Sequence, residues 1–294
     1  MANYEFSPVS GDEPCCRISK KCWVLLCLGL LVLIAIPVIV VVTLKLARKP
    51  VVWNGPGSTR NLFHIVLSRC DNYTQQRGQP DLRREDCPEI RDAFKNAFIS
   101  KNPCSVTKED YEPLVRLVKQ TVPCNKSLFW SKTKELAYQF AKVHDMFRLE
   151  DTLLGHMADN LNWCGNSSSA ELNYENCPRW SDCKNTAVSA FWKAISQKFA
   201  ESACGEVHVV LNGSLDEPFS KKSVFGSVEV FHFDPKKVNK LQAWVIHDIG
   251  QTYRELCESS SLRELKSIVE AQKIKFHCKD TAGSGSLADQ DRGT

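Results

Sequence analysis

The chain has 294 residues, 43% hydrophobic and 24% charged, with 14 glycines and 13 prolines, so a collagen-like or low-complexity polymer is excluded and a sizeable core can form. Its 38 basic and 34 acidic residues are mixed along the sequence, and the net charge of +4 is too balanced for a nucleic-acid footprint. The informative number is 14 cysteines, because oxidising and reducing compartments use thiols differently.

Residues 1–22 read as a cytoplasmic tail. The run 23–44 (WVLLCLGLLVLIAIPVIVVVTL) carries no charge over 22 residues. At about 1.5 Å per residue it would span the roughly 30 Å of bilayer hydrocarbon. A cleaved signal peptide would be about half as long and end at small residues, unlike Lys45 to Pro50. The expectation is a transmembrane signal-anchor. Flanking charge does not orient it, since Arg17, Lys20 and Lys21 face Lys45, Arg48 and Lys49.

Ten cysteines follow this run: Cys70, Cys87, Cys104, Cys124, Cys164, Cys177, Cys183, Cys204, Cys257 and Cys278. They form an even set without zinc-ribbon or CxxC spacing, which predicts five disulfides. Glycosylation sequons begin at Asn72, Asn125, Asn166 and Asn212 on the same side. Both features predict an extracellular C-terminal part, hence a single-pass type II protein of the plasma membrane. For Cys15, Cys16, Cys22 and Cys27, palmitoylation and unmodified thiols are the alternatives.

Residues 45–62, with two prolines and two glycines, read as a stalk. Residues 63–204 form a mainly helical lobe. A capping box at Thr107 to Asp110 opens one helix, and others are predicted near 90–100, 131–147, 151–162 and 186–203. In 205–278 the period changes. VHVVL (207–211), VFGSVEVF (224–231), AWVIH (243–247) and KIKFHC (273–278) read as strands of a small, mainly parallel sheet covered by helices. The fold class is therefore α+β, two disulfide-linked lobes on a single transmembrane helix, with the cleft between the lobes as the default ligand site. Residues 279–294 lack apolar content and read as a disordered tail.

HExxH, GxSxG, P-loop and GxGxxG signatures are absent, and the seven histidines show no ligand spacing, so no metal site is expected. Attention falls on carboxylates among aromatics. Glu229 lies inside VFGSVEVF, where period-2 geometry would group it with Phe225, Ser227 and Phe231. Its alternatives are a solvated strand-end carboxylate and a functional one. Trp192 and Ser196 share a helix face one turn apart, suited either to core packing or to lining a flat ligand. Trp130 precedes Ser131, a candidate cap for a helix whose first turn carries Lys132 and Lys134, able to hold phosphate or simply solvated. Glu150 and Asp159 lie on opposite faces of one ideal helix, so they reach a common site only if the helix starts after Glu150, with Asp151 as N-cap.

Taken together, MANYEFSPVSGDEPCC, TVPCNKSLFWS, LEDTLLG, WCG, FWKAIS, VLNGS, FGSVEV, AWVIH and the cysteine order resemble the ADP-ribosyl cyclase/cyclic ADP-ribose hydrolase family, most closely its transmembrane mammalian branch. The resemblance implies cleavage of the nicotinamide–ribosyl bond of NAD, with cyclase, cyclic ADP-ribose hydrolase and NADP base-exchange activities. NAD and NADP are then substrates, and no cofactor is implied. It makes Glu229 the catalytic carboxylate, Trp130 and Trp192 aromatic walls, Glu150 and Asp159 nicotinamide recognition, and Ser196 and Lys132 part of the ribosyl and phosphate pocket. It pairs Cys70 with Cys87, Cys104 with Cys183, Cys124 with Cys204, Cys164 with Cys177, and Cys257 with Cys278. A homodimer and a cell-surface protein ligand are the implied partners, beside the dinucleotide. Three departures stand out: Lys132 where relatives carry Arg, Val224 where they carry Thr, and the lack of a last cysteine pair. A non-enzymatic receptor on the same scaffold and a conventional glycosidase are the rival readings; the second predicts a cooperating acid–base pair of carboxylates.

Overall fold

The structure is a computed structural model that describes Trp23 and residues 29–37, 52–77, 86–119, 121–247 and 256–282. It divides into two units, Met1–Val52 and Trp53–Thr294.

The first unit corrects the membrane expectation. Among the described residues no helix is long and apolar enough to cross a membrane. Within the apolar run, the described helical stretch is 29–37. The remainder of that run, the tail 1–22 and its cysteines lie outside the described residues. The transmembrane helix in the fold class, the signal-anchor and type II assignments, the plasma-membrane location and the membrane-anchored partner state therefore do not stand. The homodimer and cell-surface ligand implied by the resemblance have no support either.

In the second unit, β1 (Gly55–Pro56) pairs antiparallel with β6 (Asn176–Cys177). α1 (Leu62–Arg77) and α2 (Cys87–Asn96) are joined by the Cys70–Cys87 disulfide. Thr107 opens a 3₁₀ turn, Lys108–Tyr111, rather than an α-helix; its backbone N–H donates to Asp110 Oδ2 at 2.8 Å, and α3 (Glu112–Leu117) follows with Pro113 in its first turn. Phe94 is the hub of the helical core. Its ring lies 5.4 Å from Phe98, 5.0 Å from Trp163 and 5.7 Å from Phe191, all three contacts edge-on. Trp163 Nε1 donates to the buried Tyr111 hydroxyl at 2.9 Å, which satisfies both polar groups.

Five parallel strands make the main sheet: β2 (Ser127–Ser131), β3 (Phe147–Arg148), β7 (Gly205–Asn212), β8 (Val238–His247) and β9 (Lys275–Ala282), in the order β3-β2-β7-β8-β9. Two of these strands, β2 and β3, come from the stretch read as mainly helical. The registers Phe129↔Val209 and Val209↔Ala243 stack apolar residues on the face toward the large core, while Leu128, Val210 and Ile246 point to the other face under α4 (Lys134–His144). Burial on both faces explains why VHVVL and AWVIH are nearly continuous apolar runs. A short hairpin of β4 (Gly165–Asn166) and β5 (Ser169–Leu172) precedes β6.

The chain leaves β2 through α4 toward β3 on one side. After α5 (Leu153–Ala158) and α6 (Ala187–Ser202) it returns to β7 on the other side of β2. The C-terminal ends of β2 and β7 therefore form a topological switch point, where diverging connections leave a crevice. At the opposite end Cys124–Cys204 and the Asn125 side chain, which accepts from Glu206 N at 2.8 Å, clamp the two strand starts together.

VFGSVEVF is not a strand. Residues Val224–Ser227 form a short helix, α7, and Glu229–Phe231 a 3₁₀ turn. Capping chemistry overrides β-branched propensity here: Ser223 Oγ accepts from Gly226 N at 3.0 Å, and Ser227 Oγ donates to Ser223 O at 2.6 Å. α8 (Ser260–Ala271) covers the sheet before β9, which includes 279–282 of the stretch read as tail; residues 283–294 lie outside the described set. The remaining disulfides are Cys104–Cys183, Cys164–Cys177 and Cys257–Cys278. Among the sequon asparagines, Asn72, Asn125 and Asn166 are exposed and Asn212 is half-buried. Asn166 Oδ1 accepts from Ser168 Oγ at 2.7 Å and Asn212 Oδ1 from Ser214 N at 2.8 Å.

Candidate active site

A cavity of about 760 Å³ opens at the switch point, lined by the ends of β2 and α5, one face of α6 and the segment 217–229. It brings together Trp130, Lys132, Glu150, Asp159, Trp192, Ser196 and Glu229. Trp130 and the buried Ser131 close β2, and Lys132 turns the chain at φ 55°, which leaves its side chain exposed at the rim. Ser131 does not cap α4: Thr133 holds that position, and Lys134 forms an ion pair with Asp159 at 2.8 Å and bonds Asn160 Oδ1 at 3.0 Å.

Glu229 is 6% exposed. Burial pushes its carboxyl up to about 8, with Glu150 adding to the rise and the hydrogen bond from the buried Ser196 hydroxyl opposing it. The group expected beside Glu229 on a strand face is dispersed: Phe225 is buried, whereas Ser227 and Phe231 face solvent. Gly226 permits the fold around it, because a Cβ there would lie 2.2 Å from the Ser220 carbonyl oxygen.

Glu150 and Asp159 reach the cavity through a break after Glu150. Leu149–Asp151 is a 3₁₀ turn, and Thr152, not Asp151, caps α5, accepting from Gly155 N at 3.1 Å and donating to Leu149 O at 2.6 Å. Asp151 instead accepts from Arg148 N at 2.9 Å and pairs with the Arg148 guanidinium. Glu150 is 8% exposed, its carboxyl is raised chiefly by burial, and its Oε2 lacks a hydrogen-bond partner. A Cβ on Gly155 would meet Leu149 O at 2.0 Å. Gly155→Ala should therefore push the Glu150 turn away and cost about 1–3 kcal/mol in urea denaturation.

Trp180, Asn160, Glu217, Ser220, Lys222 and Ser223 also line the cavity, though no sequence motif points to them. Trp180 is 53% exposed on a turn held between Cys177 and Cys183, and an exposed indole between two cysteines was the signal available for it. The Ser-Lys-Lys-Ser run gave no signal beyond a polar loop. Among the described residues no cluster of three or more His, Cys, Asp or Glu side chains is placed to hold a metal.

A buried carboxylate facing a ligand-sized cavity between two indoles, at the switch point of a parallel sheet, defines an enzyme. The ADP-ribosyl cyclase family model matches residues 59–288, and the chain belongs to that family. It is 57% identical over 282 residues to the ADP-ribosyl cyclase/cyclic ADP-ribose hydrolase 1 of Mus musculus, covering 95% of this chain and 92% of the mouse protein. Porcine CD38 complexed with a covalent intermediate, ribo-F-ribose-5'-phosphate, superposes with a TM-score of 0.73 at 50% identity, over 79% of this chain and all (100%) of that one. Aplysia cyclase complexed with substrate NGD and product cGDPR has a TM-score of 0.71 at 32% identity, over 76% and 90% of the two chains.

Proposed function

We infer that this chain cleaves the nicotinamide–ribosyl bond of NAD and partitions the ribosyl intermediate among ADP-ribose, cyclic ADP-ribose and base-exchange products. NAD and NADP are the substrates and no separate cofactor takes part. The observation that carries the reading is Glu229, a carboxylate removed from solvent yet open to the cavity. The substrate's base is already a pyridinium, so it departs as neutral nicotinamide without a general acid. What the reaction needs is an anion beside the sugar carbon as positive charge develops there, and a preorganised carboxylate in a dry site supplies that at little reorganisation cost. The Ser196 hydroxyl orients it, and Trp130 and Trp192 give flat apolar walls that exclude bulk water. Glu150 and Asp159 form an acidic end suited to the cationic base, while Lys132 and Lys222 line the cavity as cations suited to the diphosphate.

A conventional glycosidase acting on neutral glycans is the rival reading. The test is incubation of the purified chain with NAD and chromatographic separation of products. Release of nicotinamide with ADP-ribose supports the reading, and an inert NAD with cleavage of neutral glycosides contradicts it.

The same burial predicts a pH profile. The ionised carboxylate is the working form, so kcat/KM should fall as pH drops through an apparent pKa near 8 in the free enzyme. A bound pyridinium favours ionisation, so the limb in kcat should lie at lower pH. Initial rates between pH 5 and 10 at low and saturating NAD check both limbs.

A further inference from the structure

Behind the acidic end of the cavity, Asp159 joins a cluster whose other side chains the cleavage mechanism does not use. Lys134 and Tyr138 stand four residues apart on α4 and so share a face. The Tyr138 ring is flanked by two cations: the Arg148 guanidinium 3.6 Å from its centroid and Lys134 Nζ at 5.3 Å. Each cation holds a carboxylate. Lys134 bonds Asp159 Oδ1 at 2.8 Å, and Arg148 makes a two-pronged contact with Asp151, Nε to Oδ2 at 3.0 Å and Nη2 to Oδ1 at 2.9 Å. The phenol closes the circuit by donating to Asp159 Oδ2 at 3.3 Å, an oxygen that also accepts from Asn160 Nδ2 at 3.1 Å. Asp151 and Glu150 belong to one 3₁₀ turn, so the guanidinium that clasps Asp151 also fixes where Glu150 points. Tyr73, whose hydroxyl donates to Asp151 O at 2.9 Å, holds the same turn from the α1 side.

We propose that Tyr138 and Arg148 are positioning residues for the reaction, a stacked pair that locks Asp159 and the Glu150 turn into one rigid recognition unit for the cationic base. The proposal rests on the assignment of that end to the base. Neither side chain lines the cavity, so each acts through the carboxylates it holds. The pair has a specific chemistry: a lysine at 148 has neither the fork for Asp151 nor the flat face for the ring.

The test measures kcat and KM for NAD with the full chain and its Tyr138→Phe, Arg148→Lys and Arg148→Ala variants. Tyr138→Phe keeps the stack and loses only the hydroxyl, so KM should rise about threefold. Arg148→Ala should raise KM about tenfold or more with kcat changed less than threefold, and Arg148→Lys should not rescue it. The affinity of NAD itself, measured by equilibrium dialysis in a Glu229→Gln background where turnover is slow, should fall by the same factors. A lysine that restores wild-type KM, or variants whose KM and NAD affinity stay within twofold of the parent, overturn the positioning role. A parent that leaves NAD intact overturns the underlying functional reading instead, and thereby the proposal with it.

Discussion

Glu229→Gln is expected to lower kcat for NAD about 10³-fold or more while leaving the fold intact. Glutamine fills the same volume and can still accept from Ser196, but it brings no negative charge to the sugar carbon. Removing even one neutral donor aimed at a developing charge costs roughly 10²–10³ in rate, and a full charge in a dry site is worth at least that. Stability should change in the opposite sense. The folded-state pKa of Glu229 is raised from 4.5 to about 8, so the native protein holds a proton that the unfolded chain releases. The stability linked to that proton is complete below the unfolded value and is lost as pH rises through the folded one. Above pH 8 the parent carries a buried charge, and the variant should be more stable by on the order of a few kcal/mol. At pH 4 the two should unfold together. Thermal unfolding at pH 4, 7 and 9, with NAD turnover at each, separates this outcome from simple misfolding, which would lower activity and Tm at every pH. A variant with near-parental turnover would remove Glu229 from the centre of the mechanism.

The two lobes differ in how far their local sequence announces the site. Trp192 and Ser196 sit on a long helix capped by Thr186, where i to i+4 spacing alone places both on one face, and α6 holds both in the cavity wall. For Glu229 the local signal pointed the wrong way. Valine and phenylalanine alternation suggests a strand, but the serine cap at 223, the close approach allowed by Gly226 and the Gln272 amide, which donates to Val230 O at 2.9 Å, fold the segment into two turns. That last contact comes from the residue just after α8, more than 40 residues away, and no window around 229 contains it. Similarly, SLFWS is too short to distinguish a strand from a buried helix end. It becomes β2 because β7 arrives later and supplies its ladder. The Glu150–Asp159 geometry was half legible: the need for a helix to begin after Glu150 follows from 100° per residue, but the competition between Asp151 and Thr152 for the cap was decided by Arg148, which engages Asp151 elsewhere. Sites at a switch point draw on segments distant in sequence, so their local patterns are individually weak.

Removal of the Cys124–Cys204 bridge by paired alanine substitution should produce a larger stability loss than removal of Cys164–Cys177. The two cysteines are 80 residues apart, and closing so long a loop restricts the unfolded chain by about 4.5 kcal/mol, against about 3 kcal/mol for the 13-residue separation of Cys164–Cys177. Domains are stable by only about 5–15 kcal/mol, so the first change should make unfolding measurable near physiological temperature while the second should not. Location compounds the difference. Cys124–Cys204 binds the starts of β2 and β7, whose ladder runs only from Leu128↔His208 to Ser131↔Leu211, and the cavity opens at the far end of that short ladder. Fraying begun at the strand starts would be transmitted to Trp130 and to the 217–229 segment. Loss of NAD turnover should accordingly precede global unfolding in a urea titration of the Cys124→Ala, Cys204→Ala variant, whereas in the Cys164→Ala, Cys177→Ala variant the two curves should coincide. Equal midpoints for both variants would show that loop length does not order these bridges, and coincident curves for the first would show that the cavity end of the ladder holds without its clamp.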